Sequence, residues 1–283
     1  MSISPNETFP FDPDSNIHPG ELVLTMLDGI LKEPVQIPAE DEMQSCDLFD
    51  MAMETEETED AVEYLLKSLN LDPTNVDAHL QLLELAFIDD EYQIPILEKL
   101  EAIARQKLGE DLLSNANGHF WGMIETRPYM RVLGSLASEC HYQGFLDEAV
   151  AYWEQMLTLN KNDNQGVRYH LLLTYLALGK LKKADKIFNQ YDEVALSCCF
   201  SWGNVLRHFL AHKKDLALEA LKSARKQNKY MESFIKGTRK PPMELPDRYA
   251  PGSREEAICF VDYMITAWEP FPKAIKWLKL QKK

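Results

Sequence analysis

Gly144-Phe145-Leu146-Asp147-Glu148-Ala149-Val150-Ala151-Tyr152-Trp153 and Gly179-Lys180-Leu181-Lys182-Lys183-Ala184-Asp185-Lys186-Ile187-Phe188 align without a gap, 35 residues apart. Glycine stands on glycine, Leu146 on Leu181, Ala149 on Ala184, and the aromatic Trp153 on the aromatic Phe188. Each type has a physical task. A glycine after a helix C-terminus takes the left-handed conformation without a Cβ penalty. An alanine lets two antiparallel helices approach closely, and an aromatic one turn later fills the groove beside it. Both segments therefore read as the close of one helix, a tight turn and the start of a second.

This form resembles the tetratricopeptide repeat, a helical pair of about 34 residues that stacks on its neighbours. Counting back from Ala149 puts Leu133, Leu136 and Ala137 on the inner face of the first helix; counting back from Ala184 puts Leu172 and Tyr175 there. Weaker copies flank the pair. Glu59 to Leu66, ending in Asn70-Leu71-Asp72-Pro73, reads as the second helix of an earlier unit, and Val76 to Phe87 with Ile94 to Leu108 as another pair. Ser201 to Ala211 followed by Ala217, Leu221 and Ala224 adds one more. Four to five helical pairs exceed the roughly three that such a stack needs to bury its faces. The expected fold is all-α: a tetratricopeptide-like α-solenoid of antiparallel helix pairs, preceded by an acidic, partly disordered N-terminal segment.

Outside the repeat the pattern changes. Residues 1–46 are expected to be acidic and largely irregular, with one short helix over Glu21 to Leu31, because Pro34 and Pro38 interrupt the chain beyond Leu31. The helical-repeat domain covers 47–283, with 240–283 as a C-terminal cap. Lys240-Pro241-Pro242 to Gly252-Ser253 is too rich in proline for a helix. A helix then opens at Ser253, where Glu256 completes a capping-box spacing, and runs to about Trp268. Lys273 to Leu280 forms the last helix, and Trp268, Phe271 and Trp277 seal the end.

Charge is divided unevenly. Residues 1–60 hold 16 acidic residues and one basic residue, Lys32, which equals the net −15 of the whole 283-residue chain. Lys213 to Lys283 holds 16 basic and 9 acidic residues. An acidic head repels nucleic-acid phosphate, so no nucleic-acid partner is expected. No run approaches the 18 to 20 apolar residues of a membrane span, so no membrane insertion is expected. The opening residues have no basic and apolar signal regions, and the five cysteines, Cys46, Cys140, Cys198, Cys199 and Cys259, are an odd set without regular spacing. A reducing cytoplasm is the expected location.

Three stretches go beyond a generic repeat: Arg127-Pro128-Tyr129-Met130-Arg131, Asn162-Asp163-Asn164-Gln165-Gly166-Val167-Arg168-Tyr169 and Pro251-Gly252-Ser253-Arg254-Glu255-Glu256-Ala257. Here the chain resembles the suppressor of tumorigenicity protein 7 family, and in particular the soluble bacterial tetratricopeptide proteins grouped with it. The resemblance covers roughly residues 47 to 283. It implies a helical-repeat interaction protein with no established catalytic residue. The membrane association thought to hold for vertebrate members has no spanning segment to support it here, and the C-terminal cysteine-rich zinc motif of some bacterial relatives is replaced by Gln281-Lys282-Lys283.

Chemistry-bearing clusters are sparse. His208 and His212 stand at i and i+4, a spacing that zinc sites use, but no third ligand bears a motif relation to them. Cys198-Cys199 and Cys140 read as buried small hydrophobes. Nucleophile-elbow, phosphate-loop, dinucleotide and H-E-x-x-H motifs are missing. No catalytic set, metal site or cofactor is expected. The cations are the group of interest: Arg127 and Arg131 lie one turn apart at the start of a first helix, and Arg168 enters near the start of the next. First helices line the concave face of such a superhelix, so these side chains could converge beside helix N-termini that favour anions, with Asn164, Gln165 and Tyr169 adding hydrogen bonds. The alternative is that Arg127 and Arg168 pair with local carboxylates and serve packing.

The leading expectation is a non-catalytic scaffold or adaptor that binds a peptide or protein in the concave groove, an acidic segment being the partner that the arginines suit. Residues 40 to 60 of the chain itself could dock there as a pseudo-ligand. A second reading is an antitoxin-like or DNA-linked regulator using His18-Pro19-Gly20. A third is a hydrolytic enzyme that unites His119, His141 and Glu139.

Overall fold

The computed structural model describes residues 18–33, 35–86, 88–114 and 118–282. Residues 1–17 of the irregular segment expected at the start, and Phe87 at the end of one repeat helix, lie outside them. Among the described residues the regular structure is helical, with one isolated antiparallel bridge between His119 and Asn160. The chain divides into two compact units, Met1–Asn162 and Asp163–Lys283.

Unit 1 holds α1 (Pro19–Lys32), α2 (Ala39–Glu54), α3 (Thr58–Leu71), α4 (Val76–Leu85), α5 (Asp90–Leu108), α6 (Glu110–Ser114), α7 (Arg127–Tyr142) and α8 (Leu146–Leu159). α2 packs on α3, α3 on α4, α5 on α7, and α7 on α8, while α1 lies along α5. The first helix of the pair found in sequence, α7, buries Leu133, Leu136 and Ala137 completely, as their spacing predicts. Each buried leucine contributes about 1.5–3 kcal/mol. On α8, which packs on α7, Ala149 and Trp153 are buried as well.

The acidic segment is more ordered than its composition suggests. α1 matches the short helix expected over Glu21 to Leu31, but α2 begins at Ala39, where irregular chain was expected up to residue 46. The reason lies in its first turn. Pro38 stands at the N-cap and Glu40, Asp41 and Glu42 come next, so negative charge sits where the helix dipole favours it. The helix is then fixed by burial: Ala52 joins Leu65, Leu69, Ala78 and Leu82 in a core with Phe49 packed against it. Ser45 Oγ lies 2.8 Å from Ser68 Oγ, and Asn75 Nδ2 donates to Ser45 Oγ at 3.0 Å, which joins α2 to α3 and to the N-cap of α4.

Unit 2 holds α9 (Val167–Ala177), α10 (Leu181–Gln190), α11 (Cys198–Leu210), α12 (Lys214–Gln227), α13 (Met231–Ile235), α14 (Arg254–Cys259), α15 (Val261–Trp268) and α16 (Pro272–Leu280). α9 pairs with α10 and α11 with α12, and α9 also packs on α11. Ala184 and Ala217 are fully buried at the crossings. The turns repeat as well. Gly144 in unit 1 and Gly179 in unit 2 have φ of 86° and 65°, and His212, which stands where the third copy needs its glycine, has φ of 59°.

Two expectations change here. The single helix predicted from Ser253 to Trp268 is broken at Phe260, a buried residue with φ of −110° and ψ of 8°, where α14 ends and α15 starts. And α11 stops at Leu210, so His212 is off the helix and the i, i+4 relation to His208 is not realised. The chain from Lys240 to Ser253 is irregular, as its prolines require. Trp268 is buried, and Trp277 packs its ring against Phe209 with centroids 5.2 Å apart.

Candidate functional site

The predicted site residues fall in both units, Arg127 and Arg131 in unit 1 and Asn164, Gln165, Arg168 and Tyr169 in unit 2. In unit 1, Arg127 opens α7 with its neighbour Pro128 in the first turn, where the missing N–H costs nothing. Its Nε donates to the Trp121 carbonyl at 3.1 Å and its guanidinium lies over the Trp121 ring. Arg127 thus holds the preceding turn. Thr126 pins the same turn, donating through Oγ1 to the Phe120 carbonyl and, at 3.0 Å, to that of Met123.

Arg131, one helical turn on, grips Asp77 with two prongs: Nε donates to Oδ1 at 2.6 Å, and Nη2 to Oδ2. Asp77 lies in the first turn of α4, so this fork ties the starts of two first helices together. Further along α7, Ser138 and Tyr142 are exposed and Ser135 is half-buried, Tyr142 at 73% of its full exposure. Positions 131, 135, 138 and 142 follow the i, i+4, i+7, i+11 spacing and form one open strip on the helix face away from Leu133, Leu136 and Ala137.

Tyr129, between the two arginines, is a hub that sequence reasoning passed over. Its OH donates to Glu101 Oε1 at 2.8 Å and accepts from Arg105 Nη2 and Gln155 Nε2, each at 2.9 Å. Burial, with the Glu101 carboxylate, pushes its phenol well above the usual range. Nothing local marked it, since its partners are 24 to 28 residues away.

In unit 2 the turn before α9 is built around Asp163, fully buried and in the left-handed region with φ of 49°. Its Oδ1 accepts from Val167 N at 2.7 Å and its Oδ2 from Arg168 N at 3.1 Å, which satisfies the open N–H groups of α9. Gly166, with φ of 71°, lets the chain turn into the helix. Asn164 is exposed; Gln165 is half-buried.

Arg168 and Tyr169 are brought together. Arg168 Nη1 meets Asp163 Oδ2 at 2.7 Å, Nε meets Glu193 Oε1 at 2.8 Å, and Nη2 donates to Tyr169 OH at 2.8 Å. Tyr169 OH in turn donates to Glu193 Oε2 at 2.6 Å. The guanidinium lies over the Tyr169 and Tyr191 rings, 4.3 and 5.3 Å from their centroids. Burial and the Glu193 carboxylate push the Tyr169 phenol up. Two carboxylates and two aromatic faces therefore engage this cation, the arrangement in which the arginine serves local packing.

The face of α9 and α11 beside this cluster is covered by α15. Phe260 packs on Tyr169 and His170 with centroids 5.6 and 5.9 Å away, and Tyr263 lies 4.4 Å from His170. Glu256, another residue whose role sequence did not reveal, reaches the N-terminus of α11. Ser253 does cap α14, accepting from Glu256 N at 3.0 Å, but the Glu256 carboxylate reaches back to Gly252 N at 2.7 Å rather than to the Ser253 N–H that would close a capping box.

The acidic N-terminal residues that form described ion pairs do so with α5: Asp28 with Lys99, and Glu42 with Lys107 at 2.7 Å. His18 caps α1 through Nδ1, which accepts from Gly20 N at 3.1 Å, and stacks on Tyr92; a Cβ on Gly20 would overlap that tyrosine ring. His18-Pro19-Gly20 is thus a helix start seated on α5. Of the three residues named for hydrolysis, His141 is buried, His119 is exposed, and Glu139 accepts from Gln143 at 2.8 Å. His141 and Glu139 are two positions apart on α7, about 200° around the helix. Burial lowers His141 to about 4, so it is neutral at pH 7.

The tetratricopeptide-repeat family profile matches residues 166–198, from Gly166 through α9 and α10 to the first residue of α11. The chain has no match among the curated proteins.

Proposed function

We propose that this chain is a non-catalytic adaptor that binds a peptide or protein partner along the first-helix face of its repeats, without a cofactor. The observation that carries the reading is the open strip of α7, with Arg131 at one end and Tyr142 at the other. It is about 16 Å long, the reach of about five extended residues. Its chemistry suits a partner that offers a carboxylate to Arg131, sharing or displacing Asp77, and an apolar group to the exposed ring of Tyr142. Two small side chains, the half-buried Ser135 and the exposed Ser138, lie between them. A tetratricopeptide repeat in the same chain supports this role, since stacked helical pairs present extended binding surfaces.

Of the six predicted contact residues, Arg131 of unit 1 is assigned to the partner, and Arg127 shapes the turn before it. In unit 2, Arg168 and Tyr169 hold the turn in which Asn164 and Gln165 lie. Two of the three sequence stretches that resemble the suppressor of tumorigenicity protein 7 family supply these side chains, and on that resemblance we place the chain in its soluble bacterial branch. Among the described residues no helix is long and apolar enough to cross a membrane, and we place the protein in the cytoplasm. The test is affinity capture from native lysate with the full chain and with Arg131→Glu and Tyr142→Ala variants. Partners held by the parent chain and lost by both variants support the adaptor reading. A set of partners identical for all three chains sinks it.

A further inference from the structure

One turn closes a first helix three times in this chain, and each copy is a reference for the others. Gly144, Gly179 and His212 lie in the left-handed region, and the residue after each folds back on the helix it leaves. Phe145 N donates to the Cys140 carbonyl at 2.7 Å, Lys180 N to that of Tyr175 at 2.8 Å, and Lys213 N to that of His208 at 2.9 Å. The inner bond is present each time as well, from Gly144 N to His141, from Gly179 N to Leu176 and from His212 N to Phe209. The backbone motif is the same in all three. Side chains that differ between the copies are therefore not demanded by the turn.

They differ most in the first copy. After the left-handed residue the second and third copies carry lysine, whereas the first carries Phe145, 50% exposed, three residues beyond Tyr142. An apolar residue at this place often packs back on the helix it leaves. Phe145 nevertheless keeps half of its surface in water, and the two lysine copies close the turn without it. The charge also inverts: Asp147 and Glu148 open α8 where α10 has Lys182 and Lys183. Gln143, inside the turn, donates to Glu139 Oε1 and to the Asp90 carbonyl at 2.7 Å, which brings the acidic start of α5 alongside. From Val132 to Asn160 the sequence has no lysine or arginine.

We propose that this turn is the cation-binding end of the α7 strip, and that it takes a lysine or arginine side chain of the partner peptide. The methylene stem lies on the exposed rings of Tyr142 and Phe145, and the charge faces Glu139 and Glu148. Lysine and arginine combine an apolar stem with a charged head, and an aromatic face attracts a cation. Charge complementarity selects this occupant. A purely apolar side chain would cover the rings and desolvate the carboxylates without compensation, and an acidic one would be repelled. The inference rests on the adaptor reading and deepens it. Arg131 takes a carboxylate at one end of the strip and the aromatic turn takes a cation at the other, so the partner carries an acidic and a basic residue about five extended positions apart.

The test is selection of a phage-displayed random peptide library on the full-length chain, on Arg131→Ala, and on a chain with Phe145→Lys and Glu148→Lys. That double variant installs the residues that the second copy carries at the same turn, Lys180 and Lys183, so the motif is kept; Phe145→Ser alone is the milder form, and circular dichroism checks folding. Peptides enriched on the parent should pair Asp or Glu with Lys or Arg about four to six positions apart. Arg131→Ala should lose the acidic preference and keep the basic one, and the lysine variant should do the reverse. In a synthetic enriched peptide, exchange of the basic residue for leucine should weaken binding to the parent at least about fivefold, read by fluorescence anisotropy, and should not weaken binding to the lysine variant. Enriched peptides that depend on Arg131 and bear no basic residue overturn the cation site and leave the adaptor reading standing. No enrichment, or the same peptides on all three chains, overturns both.

Discussion

The Glu256 carboxylate, 2% exposed, accepts a hydrogen bond from the backbone N–H of Cys198, 58 residues earlier, and so caps α11 from a helix that belongs to another part of the sequence. The same carboxylate takes Gly252 N at 2.7 Å and Asn228 Nδ2 at 2.9 Å, all neutral donors. Such a group is costly to remove, because the Cys198 N–H it leaves is buried and unsatisfied. Glu256→Ala should cost about 3 kcal/mol of unit 2 stability, read as a lower urea midpoint. Glu256→Gln, which keeps an acceptor oxygen, should cost about half as much. Equal losses would show that volume, not hydrogen bonding, sets the effect.

The left-handed turn that closes each first helix gives a second prediction. His212 holds φ of 59° with a Cβ, whereas Gly144 and Gly179 occupy the same place in the two earlier copies without one. His212→Gly should therefore stabilise the protein by about 1 kcal/mol, and Gly179→Ala should destabilise it by about 1–2 kcal/mol. Both are read from thermal melts. No atom lies within 4 Å of a Cβ built on Gly179, so backbone conformation alone is tested there.

Ala149, Ala184 and Ala217 were legible in sequence because a helix crossing leaves no room for a larger side chain, and that constraint recurs with the repeat. All three are fully buried, as are Leu133, Leu136, Ala137 and Leu172. The site was legible only in part. Arg168 was visible as a cation near a helix start, but Asp163 gave no sign that it would both cap α9 and neutralise that arginine, and Glu193 lies 25 residues away. Glu256 matched a local capping pattern and reaches back to Gly252 N, one residue before Ser253, while its other oxygen caps α11, a contact 58 residues away that no local spacing shows. Local spacing reports on one helix at a time. Ion pairs and caps between helices depend on packing that no single window contains.

His79 and His141 make unit 1 sensitive to acid. Both are buried, and burial lowers each from the ordinary 6.5 to about 4; His79 Nε2 also lies 2.9 Å from the Pro73 carbonyl, and the Asp72 carboxylate opposes the shift. The folded protein keeps them neutral at a pH where the unfolded chain is protonated. Between about pH 6.5 and pH 4 the unfolded state binds more protons, so their contribution is complete above that window and is lost as pH falls through it. Each displacement corresponds to about 3 kcal/mol at the acid end. Urea midpoints measured from about pH 7.5 down to pH 4.5 should fall. His141→Met should reduce the slope, and a slope unchanged by it would mean that this imidazole is not the titrating group.

Arg131 and Arg168, two of the three arginines of the predicted groove, should separate in their effects. The side chain of Arg168 is 18% exposed and faces the fully buried carboxylate of Asp163 with Glu193, whereas that of Arg131 is 42% exposed opposite Asp77 at 14%. Removing the first leaves a buried charge without its counter-ion; removing the second breaks a bridge that water can largely replace. Arg168→Ala should cost about 3 kcal/mol in a urea titration, and Arg131→Ala under about 1 kcal/mol. Partner capture should show the opposite order at a temperature where both variants are folded, with Arg131→Ala the more damaging. If Arg168→Ala leaves stability intact and abolishes capture, the cation is a contact residue and the pairing with Asp163 yields to the partner.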